Sequence, residues 1–472
     1  MIGRTLDSYF SQLNYNFDNK YYLTASVRRD GSSRFANNKW DTFFSVGAAW
    51  VISNEGFLEN NDLVRYLKLK GSYGTTGDEQ GVSFYSGINL FDVSNLNGGF
   101  AVTPRLIANP ELTWERATQY QAGLEFTLGD FLDGSFDYFI KDTENLFFDR
   151  PNPISTGVAS VLVNDGVLRN SGFEFDLTAH LVKKENFTLD ATVNGIIYSN
   201  EIREMPLDPS DENRPNDFIN LASYAYEEGR SIFDFYMREY AGVDPGDGFP
   251  VWYEYFDDAN NNDILDDGES IQSLTPYLND VNPDANVKRT TTKTFADATE
   301  KYVDRSGIPD LQGAFRLNAT IHNFNISTQF TYQIGGYGYD FQYAELMHDN
   351  NGGILGTNRS TDVRQRWQQP GDITSVPRLA DRVVPNITSQ STRFITKTDF
   401  LALNNILVGY TLPSKMLGDS GIDLLNIYVS GDNLFIASRR EGFNPNTSQT
   451  GNSGRARYAP LSTLTLGLRL KF

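Results

Sequence analysis

Oxygen-bearing side chains recur at alternate positions between residues 258 and 269, in the segment DANNNDILDDGE. Their spacing matches positions 1, 3, 5, 7, 9 and 12 of a calcium loop of the EF-hand type, where roughly six to eight oxygens surround the ion. Those positions are held by Asp258, Asn260, Asn262, Ile264 (through its carbonyl), Asp266 and Glu269. Asp263 occupies position 6, where the sharp turn favours glycine. The segment predicts Ca²⁺ as a cofactor, with a solvated acidic turn as the alternative.

An aromatic run lies just before this loop and contains Trp252, Tyr253 and Tyr255. Aromatic rings present flat apolar faces, on which the apolar face of a sugar can stack. The run therefore predicts a substrate-binding surface for a glycan. The alternative is that these rings form a small core of the segment, or an interface with a partner protein.

The sequence offers few groups of residues that could act together in catalysis. Glu174 and Asp176 are two residues apart, so a strand would place both carboxylates on one face, as a glycosidase requires of its paired acids. A polar channel wall explains the same pair without any chemistry. The three histidines, His180, His322 and His348, lack metal-ligand spacing, and the chain contains no cysteine. Neither a nucleophile elbow nor a P-loop occurs, so we expect no catalytic residues and no enzymatic activity.

Composition narrows the class of partner. The 472 residues include 40 Lys and Arg against 60 Asp and Glu, a formal net charge of -20. Nucleic-acid binders carry basic patches, so nucleic acid is not expected as a partner. No apolar run reaches the roughly 18 residues of a membrane-spanning helix. Aromatic residues reach 13%, a pool that suits strands and membrane-interface rings.

The end of the chain gives the strongest strand pattern. Residues 460–472 read PLSTLTLGLRLKF, in which apolar residues alternate with polar or small ones from Leu464 to Phe472. This period of two places the apolar side chains on one face of a strand. Such a strand is typical of a membrane β-barrel, whose apolar face meets lipid and whose polar face lines a wet lumen.

Similar segments recur along the whole chain and predict about thirteen strands. They lie at 9–17, 21–29, 42–51, 67–75, 119–128, 135–142, 172–180, 187–197, 314–321, 324–332, 400–410, 424–436 and 461–472. Short turns alternate with long connections near 76–113, 144–166, 199–308, 338–397 and 438–459, which is the topology of outer-membrane barrels. The predicted fold class is all-β, an antiparallel transmembrane β-barrel portion with short periplasmic turns, long extracellular loops and a periplasmic C-terminus.

The polar face and the N-terminus carry two further expectations. Inward-facing residues should form a salt-bridged lumen; they are Lys68, Lys70, Glu125, Asp137, Lys141, Arg316, Arg469 and Lys471. The start, MIGRTLDSYF, lacks a signal peptide, and bacterial single-chain barrels have even strand numbers. We therefore expect an upstream part to be missing from these 472 residues.

Eight stretches, in order along nearly the whole chain, carry a family resemblance. They are YFSQLNYNFDNKYYLTASVRRDGSSRF at 9–35, SVGAAWVISNEGFL at 45–58, LKLKGSYGTTGDE at 67–79, NSGFEFDL at 170–177, REYAGVDPGDGFPVWY at 238–253, RQRWQQPGDITSVPRL at 364–379, DFLALNNILVGYTLP at 399–413 and IYVSGDNLFIASRREGFNP at 427–445. With these stretches the chain resembles the C-terminal half of SusC/RagA-like TonB-dependent outer-membrane transporters of Bacteroidetes.

The resemblance implies a fold and a function. The family has a 22-stranded barrel in the outer-membrane lipid, an N-terminal plug, a TonB box that contacts TonB, and a SusD-like lipoprotein as a lid. The thirteen predicted strands would be the last thirteen of the 22. The region around 199–308 would be a large extracellular insertion. The plug, the TonB box and the first strands of the family have no counterpart here. The implied function is import of oligosaccharides or oligopeptides. The alternatives are a plugless porin or siderophore-type receptor, and a surface β-rich adhesin or carbohydrate-binding module.

Overall fold

Thirteen long strands pair in chain order into one antiparallel sheet. The computed structural model describes residues 3–58, 61–208, 211–349, 358–379, 384–418, 421–447 and 460–472. The sheet strands are β1 (Leu6–Phe17), β2 (Tyr21–Ser32), β3 (Trp40–Val51), β4 (Val64–Asp78), β5 (Glu115–Leu128), β6 (Leu132–Glu144), β7 (Val167–Lys184), β8 (Phe187–Glu204), β9 (Leu311–Ile321), β10 (Phe324–Ile334), β11 (Phe400–Thr411), β12 (Leu424–Ser438) and β13 (Thr463–Lys471).

The predicted all-β class and the strand number are confirmed, whereas several predicted bounds are too short. β7 and β8 each have 18 residues, and their pairing continues to Lys184 opposite Phe187 at one end and to Val167 opposite Glu204 at the other. The sequence placed Lys183 and Lys184 in the turn. Main-chain hydrogen bonding extends a strand past the point where its side-chain alternation ends, so the pattern alone stops early.

Short turns lie at one end of the sheet and long connections at the other, because each strand runs antiparallel to its chain neighbour. The turn after β1 has Asp18 and Asn19 at φ 54° and 53°, the left-handed pair that tight hairpins need. Residues 205–310 and 335–399 form the two longest connections. The connection at 33–39 is an exception, with only seven residues at the long-loop end.

The two faces of the sheet differ as the alternation predicts. On one face Phe44, Tyr73 and Tyr120 pack ring to ring across β3, β4 and β5, with centroids 5.7 and 4.8 Å apart. The apolar residues of β13 lie on the same kind of face, where Leu464 is 77% exposed. Cross-strand aromatic pairs stabilise a sheet, and a continuous exposed apolar surface of this kind indicates a lipid-facing wall.

The opposite, polar face carries an ion-pair network, which confirms the predicted salt-bridged lumen for four of its residues. Lys68 and Lys70 each contact Glu125 at 3.1 Å, and Lys70 also contacts Asp137 at 3.0 Å. Gly123 lies between them, and a Cβ there would be 2.2 Å from the Asp137 carboxylate and 2.6 Å from the Lys70 side chain. A glycine is therefore needed for this ion pair to form across β5.

Short strands and helical segments lie in the connections between the sheet strands. The strands are Leu90–Leu96, Gly99–Leu106, Phe147–Pro151, Ser160–Asn164, Leu207–Asp208, Asp211–Pro215, Ile219–Leu221, Tyr224–Tyr226, Asp234–Arg238, Tyr240–Val243, Pro250–Asp257, Ser270–Ile271, Val287–Thr292, Glu300–Ser306, Tyr337–Tyr339 and Ile395–Lys397. The helical segments are Ile52–Asn54, Ile154–Thr156, Leu274–Pro276, Tyr277–Val281, Phe341–Leu346, Thr361–Gln365, Thr392–Phe394, Ser414–Leu417 and Pro445–Thr447. Among the helices of the described ranges, none has the length and apolarity needed to span a membrane.

The two longest connections pack together into one folded unit, which we call the cap (residues 205–310 and 335–399). Its largest hydrophobic cluster takes Phe235 and Met237 from the first connection and Tyr339, Met347 and Phe394 from the second. Main-chain hydrogen bonds also cross between them, from Gly371 to Pro245 at 2.8 Å and from Arg378 to Gly248 at 2.9 Å. Neither connection contains this core alone, so the cap folds only when both are in place.

We expect Gly313→Ala to destabilise the wall by about 1–3 kcal/mol, the usual cost of forcing extra volume into a packed site. A Cβ at Gly313 would lie 2.0 Å from the main-chain oxygen of Asn194 on β8, so the two strands must separate. Gly56→Ala is the matched control, because nothing lies within 4 Å of its Cβ position. Thermal unfolding in detergent, followed by heat-modifiable gel mobility, measures the difference. Equal unfolding temperatures for both variants would contradict the close approach of β8 and β9.

Candidate functional site

A groove in the polar face is bounded by β6 to β11. Its rim follows from the strand register, in which Asp137 faces Glu174, Asp176 faces Asn194, and Gln312 faces Gln333. The cavity measures about 810 Å³. Carboxylate and amide side chains from five neighbouring strands therefore line one continuous space.

The carboxylates of the groove differ in burial and in bonding partners. Asp137 is buried and accepts hydrogen bonds from Lys70 and, at 3.0 Å, from the Gln121 amide. Glu174 and Asp176 are exposed to the cavity, and within the described part of the chain neither carboxylate has a hydrogen-bond or ion-pair partner. The pair that could suggest a glycosidase thus lies on an open channel wall, as the polar-wall alternative predicts.

A segment of the last long connection, residues 438–447, which we call the roof, reaches the groove. Pro445 and Asn446 complete its lining. The roof is fixed by Phe443, which is 2% exposed and whose carbonyl accepts a hydrogen bond from the Ser438 hydroxyl. The roof therefore lies between the groove and the cap.

An ion pair joins the roof to the cap. The Arg440 guanidinium donates to the Asp340 carboxylate, with Nε 3.0 Å from Oδ2, and stacks over the Tyr343 ring at 4.5 Å. Asp340 is 1% exposed and also caps the helix Phe341–Leu346, since its Oδ1 accepts from the Tyr343 N–H at 3.0 Å. One buried carboxylate thus holds both the helix and the roof.

The predicted aromatic run is divided between two sides of a strand. Along Pro250–Asp257 burial alternates, so Trp252 points into the cap, where it is 1% exposed and packs against Phe295 at 5.2 Å. Tyr253 and Tyr255 lie on the other side and are half-buried. Burial, together with a hydrogen bond to Glu239, raises the pKa of the Tyr255 phenol. The glycan-stacking role of the run stays a prediction, and one face of each tyrosine ring is already covered, because Arg289 lies over the Tyr253 ring at 4.1 Å and Lys301 over the Tyr255 ring at 5.3 Å.

The predicted calcium loop is folded and closely bonded. Both oxygens of buried Asp258 accept main-chain N–H groups, from Asn262 at 2.9 Å and from Asp263 at 3.1 Å. Asp263 has φ 60°, so this residue adopts the left-handed turn that position 6 demands. Asp266 accepts from the side-chain amides of Asn260 and Asn262 at 2.7 and 2.8 Å. The loop backbone fits the predicted pattern, although both amides donate to Asp266.

The charges around this loop limit which atoms can hold an ion. The Lys288 ammonium contacts Asp263 at 2.6 Å, and that contact raises the pKa of Lys288. Within the described ranges, no three His, Asp or Glu side chains converge as a metal site. Ca²⁺ at this loop would therefore draw on amide and main-chain carbonyl oxygens as well as carboxylates, which requires the Asn260 and Asn262 amides to rotate.

The cap interior contains a buried cation between aromatic rings. The Arg393 guanidinium lies 4.9 Å from the Phe394 ring and 5.3 Å from that of Tyr240, and it donates to the Ile387 carbonyl. Burial lowers the pKa of Arg393 and raises that of Tyr240 to about 12. Such a site contributes to the packing of the cap and offers no open face to a ligand.

Sequence reasoning identified the Glu174–Asp176 pair but did not identify the groove around it. Asn194, Gln312 and Gln333 join it only through the strand register, and Pro445 and Asn446 only through the fold of the roof. The sequence does show that these positions alternate in step with the inward-facing residues of their strands. That pattern identifies the groove only when the register of β7 to β10 is known.

The chain was compared with known families and proteins. The family model "TonB dependent receptor-like, beta-barrel" matches residues 2–277. TonB-dependent receptor P3 of Formosa agariphila is 30% identical over 488 residues, covering 99% of this chain and 45% of that protein. TonB-dependent receptor SusC of Bacteroides thetaiotaomicron is 26% identical, covering 99% and 44%. The solved structure of the RagAB peptide transporter aligns with a TM-score of 0.80 at 26% identity, covering 99% of this chain and 48% of that one. The chain thus spans about half the length of the relatives it matches.

We expect Arg440→Met to open the cap locally, at a cost on the order of 3 kcal/mol, because it removes the guanidinium that pairs with the buried Asp340 carboxylate. The readout is hydrogen exchange of the amides of Phe341–Leu346, which should speed up accordingly. Arg439→Met is the matched control, since Arg439 is exposed and adjacent. Unchanged exchange in Arg440→Met would show that the ion pair does not hold the helix.

Proposed function

The chain belongs to the TonB-dependent receptor β-barrel family, and from this premise we propose that it forms the wall and the extracellular cap of an outer-membrane transporter of the SusC/RagA type. The observation that supports this most is the thirteen-stranded sheet in chain order, with one apolar and one polar face and a folded cap at its long-loop end. In this proposal the apolar face meets outer-membrane lipid, the cap faces outward, and the short turns and the C-terminus face the periplasm.

The proposed activity is binding and gated passage of oligosaccharides or oligopeptides. The solved RagAB structure is titled a peptide transporter, and its alignment with this chain supports the same kind of task. A SusD-like lipoprotein would cover the cap as a lid. TonB would act through a plug and a TonB box of the kind the resemblance implies, while these 472 residues supply wall and loops. Matches to receptors and transporters also favour a role without bond-breaking chemistry.

Energised import can be separated from passive diffusion. Cells that carry the transporter should accumulate a labelled oligomer too large for general porins, and should lose that uptake when the gene is disrupted. An uncoupler that collapses the proton gradient should stop uptake through a TonB-dependent transporter, because TonB draws on that gradient. Uptake that continues with the uncoupler present would instead support the porin alternative, and soluble protein after fractionation would support the adhesin or carbohydrate-binding module.

We also propose the loop from Asp258 to Glu269 as a Ca²⁺ site of the cap, on the strength of its spacing and its left-handed turn at Asp263. Saturating Ca²⁺ should stabilise the purified protein against thermal unfolding relative to a chelator, by about 2.7 kcal/mol at a hundredfold excess over Kd. Glu269→Gln should lose this stabilisation, whereas Asp267→Asn, which lies between two proposed ligands, should keep it. Identical unfolding with Ca²⁺ and with chelator would exclude the site.

A further inference from the structure

The groove in the polar face contains negative charge that the described part of the chain does not neutralise. Elsewhere on this face Glu125 contacts two lysines, and Asp137, at the edge of the groove, contacts Lys70 at 3.0 Å. Glu174 and Asp176 lie two residues apart on β7, both face the cavity, and neither has a cationic partner among the described residues. No lysine or arginine is among the described residues that line it.

The other residues that line the groove are better suited to hydrogen bonding with a peptide than to stacking against a sugar. The side-chain amides of Asn194, Gln312 and Gln333 sit on three successive strands, and amides can both donate to and accept from a main-chain peptide group. Asn194 Oδ1 already accepts from the Ala314 N–H and Gln333 Nε2 already donates to the Thr398 hydroxyl, so Asn194 would donate to a ligand and Gln333 would accept from it. Three aromatic residues line the groove: Phe400 is 9% exposed, and Phe175 and Tyr332 alternate with the inward residues of β7 and β10, so the groove offers a sugar little open aromatic surface. The cavity of about 810 Å³ lies within the usual size range of ligand sites.

The cap adds a separate electrostatic observation. Residues 199–308 contain 24 acidic and nine basic residues, a net charge of -15, against -5 for the rest of the chain. Three quarters of the net negative charge thus lies in this range, most of which belongs to the cap at the long-loop end. A charged surface at an entrance raises the local concentration of oppositely charged molecules and speeds their capture.

We infer that the groove is a binding subsite for a cationic oligopeptide, with Glu174 and Asp176 receiving its ammonium or guanidinium groups and the amides on β8 to β10 holding its backbone. This inference rests on the proposed function and makes its cargo class specific. Neutral oligosaccharides supply no charge for the two carboxylates, so the geometry favours the peptide. A basic residue elsewhere in the full-length protein is the competing partner for these carboxylates.

The test uses the transporter purified from the outer membrane of cells that express it, with three peptides of equal length: Ala-Lys-Ala-Lys-Ala, Ala-Ser-Ala-Ser-Ala and Ala-Glu-Ala-Glu-Ala. Binding is measured by titration calorimetry in low and in high salt. The lysine peptide should bind about fivefold or more tightly than the serine peptide, as expected for two partly exposed charge pairs, and the advantage should shrink in high salt.

The double variant Glu174→Gln, Asp176→Asn should bring the lysine peptide to the affinity of the serine peptide and leave the serine peptide unchanged. Glu185→Gln is the matched control, because it removes a carboxylate from the exposed turn after β7 and should preserve the preference. A lysine preference that survives in the double variant, or its absence in the wild type, overturns the inference.

Two further outcomes distinguish failure of this inference from failure of the proposed function. A double variant that unfolds at lower temperature and binds all three peptides more weakly would assign the carboxylates to a partner within the protein, which also overturns the inference. Wild-type cells that import the serine peptide or a neutral oligosaccharide in an energy-dependent way, with no lysine preference, would leave the proposed function standing while the inference fails. Failure of every oligomer to enter would refute both.

Discussion

The pairing of main-chain hydrogen-bonding groups is the constraint on which this structure depends. In hydrocarbon an unpaired N–H or C=O costs several kcal/mol, so a spanning wall must satisfy its backbone within the sheet. The chain pairs each of thirteen strands with its neighbour in sequence, so β2 to β12 are bonded on both sides and β1 and β13 on one side. Antiparallel neighbours fix which connections lie at which end, and the period of two fixes which side chains face outward. Close packing at Gly313 and Gly123 and the direction of every wall side chain follow from this pairing.

The polar face of the sheet carries charged side chains that lie close together. Lys68, Glu125, Lys70 and Asp137 form a chain of contacts at 3.0 to 3.1 Å across β4, β5 and β6, which neutralises that part of the wall. Partly exposed pairs of this kind contribute little stability individually, so their main effect is to set the local field. Where the network ends, at Glu174 and Asp176, the wall becomes negative, and this contrast is what distinguishes the groove from its surroundings.

The sequence allows the wall to be predicted far better than the cap. Strand number, strand order and the two faces all follow from local alternation, because a strand repeats every two residues. The bounds of β7 and β8 were too short, since their ends are fixed by partners and not by their own pattern. The cap core joins Phe235 to Phe394 and its ion pair joins Asp340 to Arg440, contacts between residues 100 or more apart that no local pattern contains. Trp252 and Tyr253 show the same limit at short range, because an aromatic run does not tell which ring a later strand will cover.

The roof makes the cap and the groove mechanically dependent on each other. Asp340 is buried and bonded to Arg440, so moving the cap away from the roof would break a buried ion pair, which is strongly unfavourable. Small displacements of the cap are therefore expected to carry residues 438–447 with them and to move Pro445 and Asn446 at the groove. A shift of the cap would therefore change the shape of the groove through this connection. The roof, bonded to the cap through Arg440 and lining the groove through Pro445 and Asn446, is the physical connection along which such coupling would run.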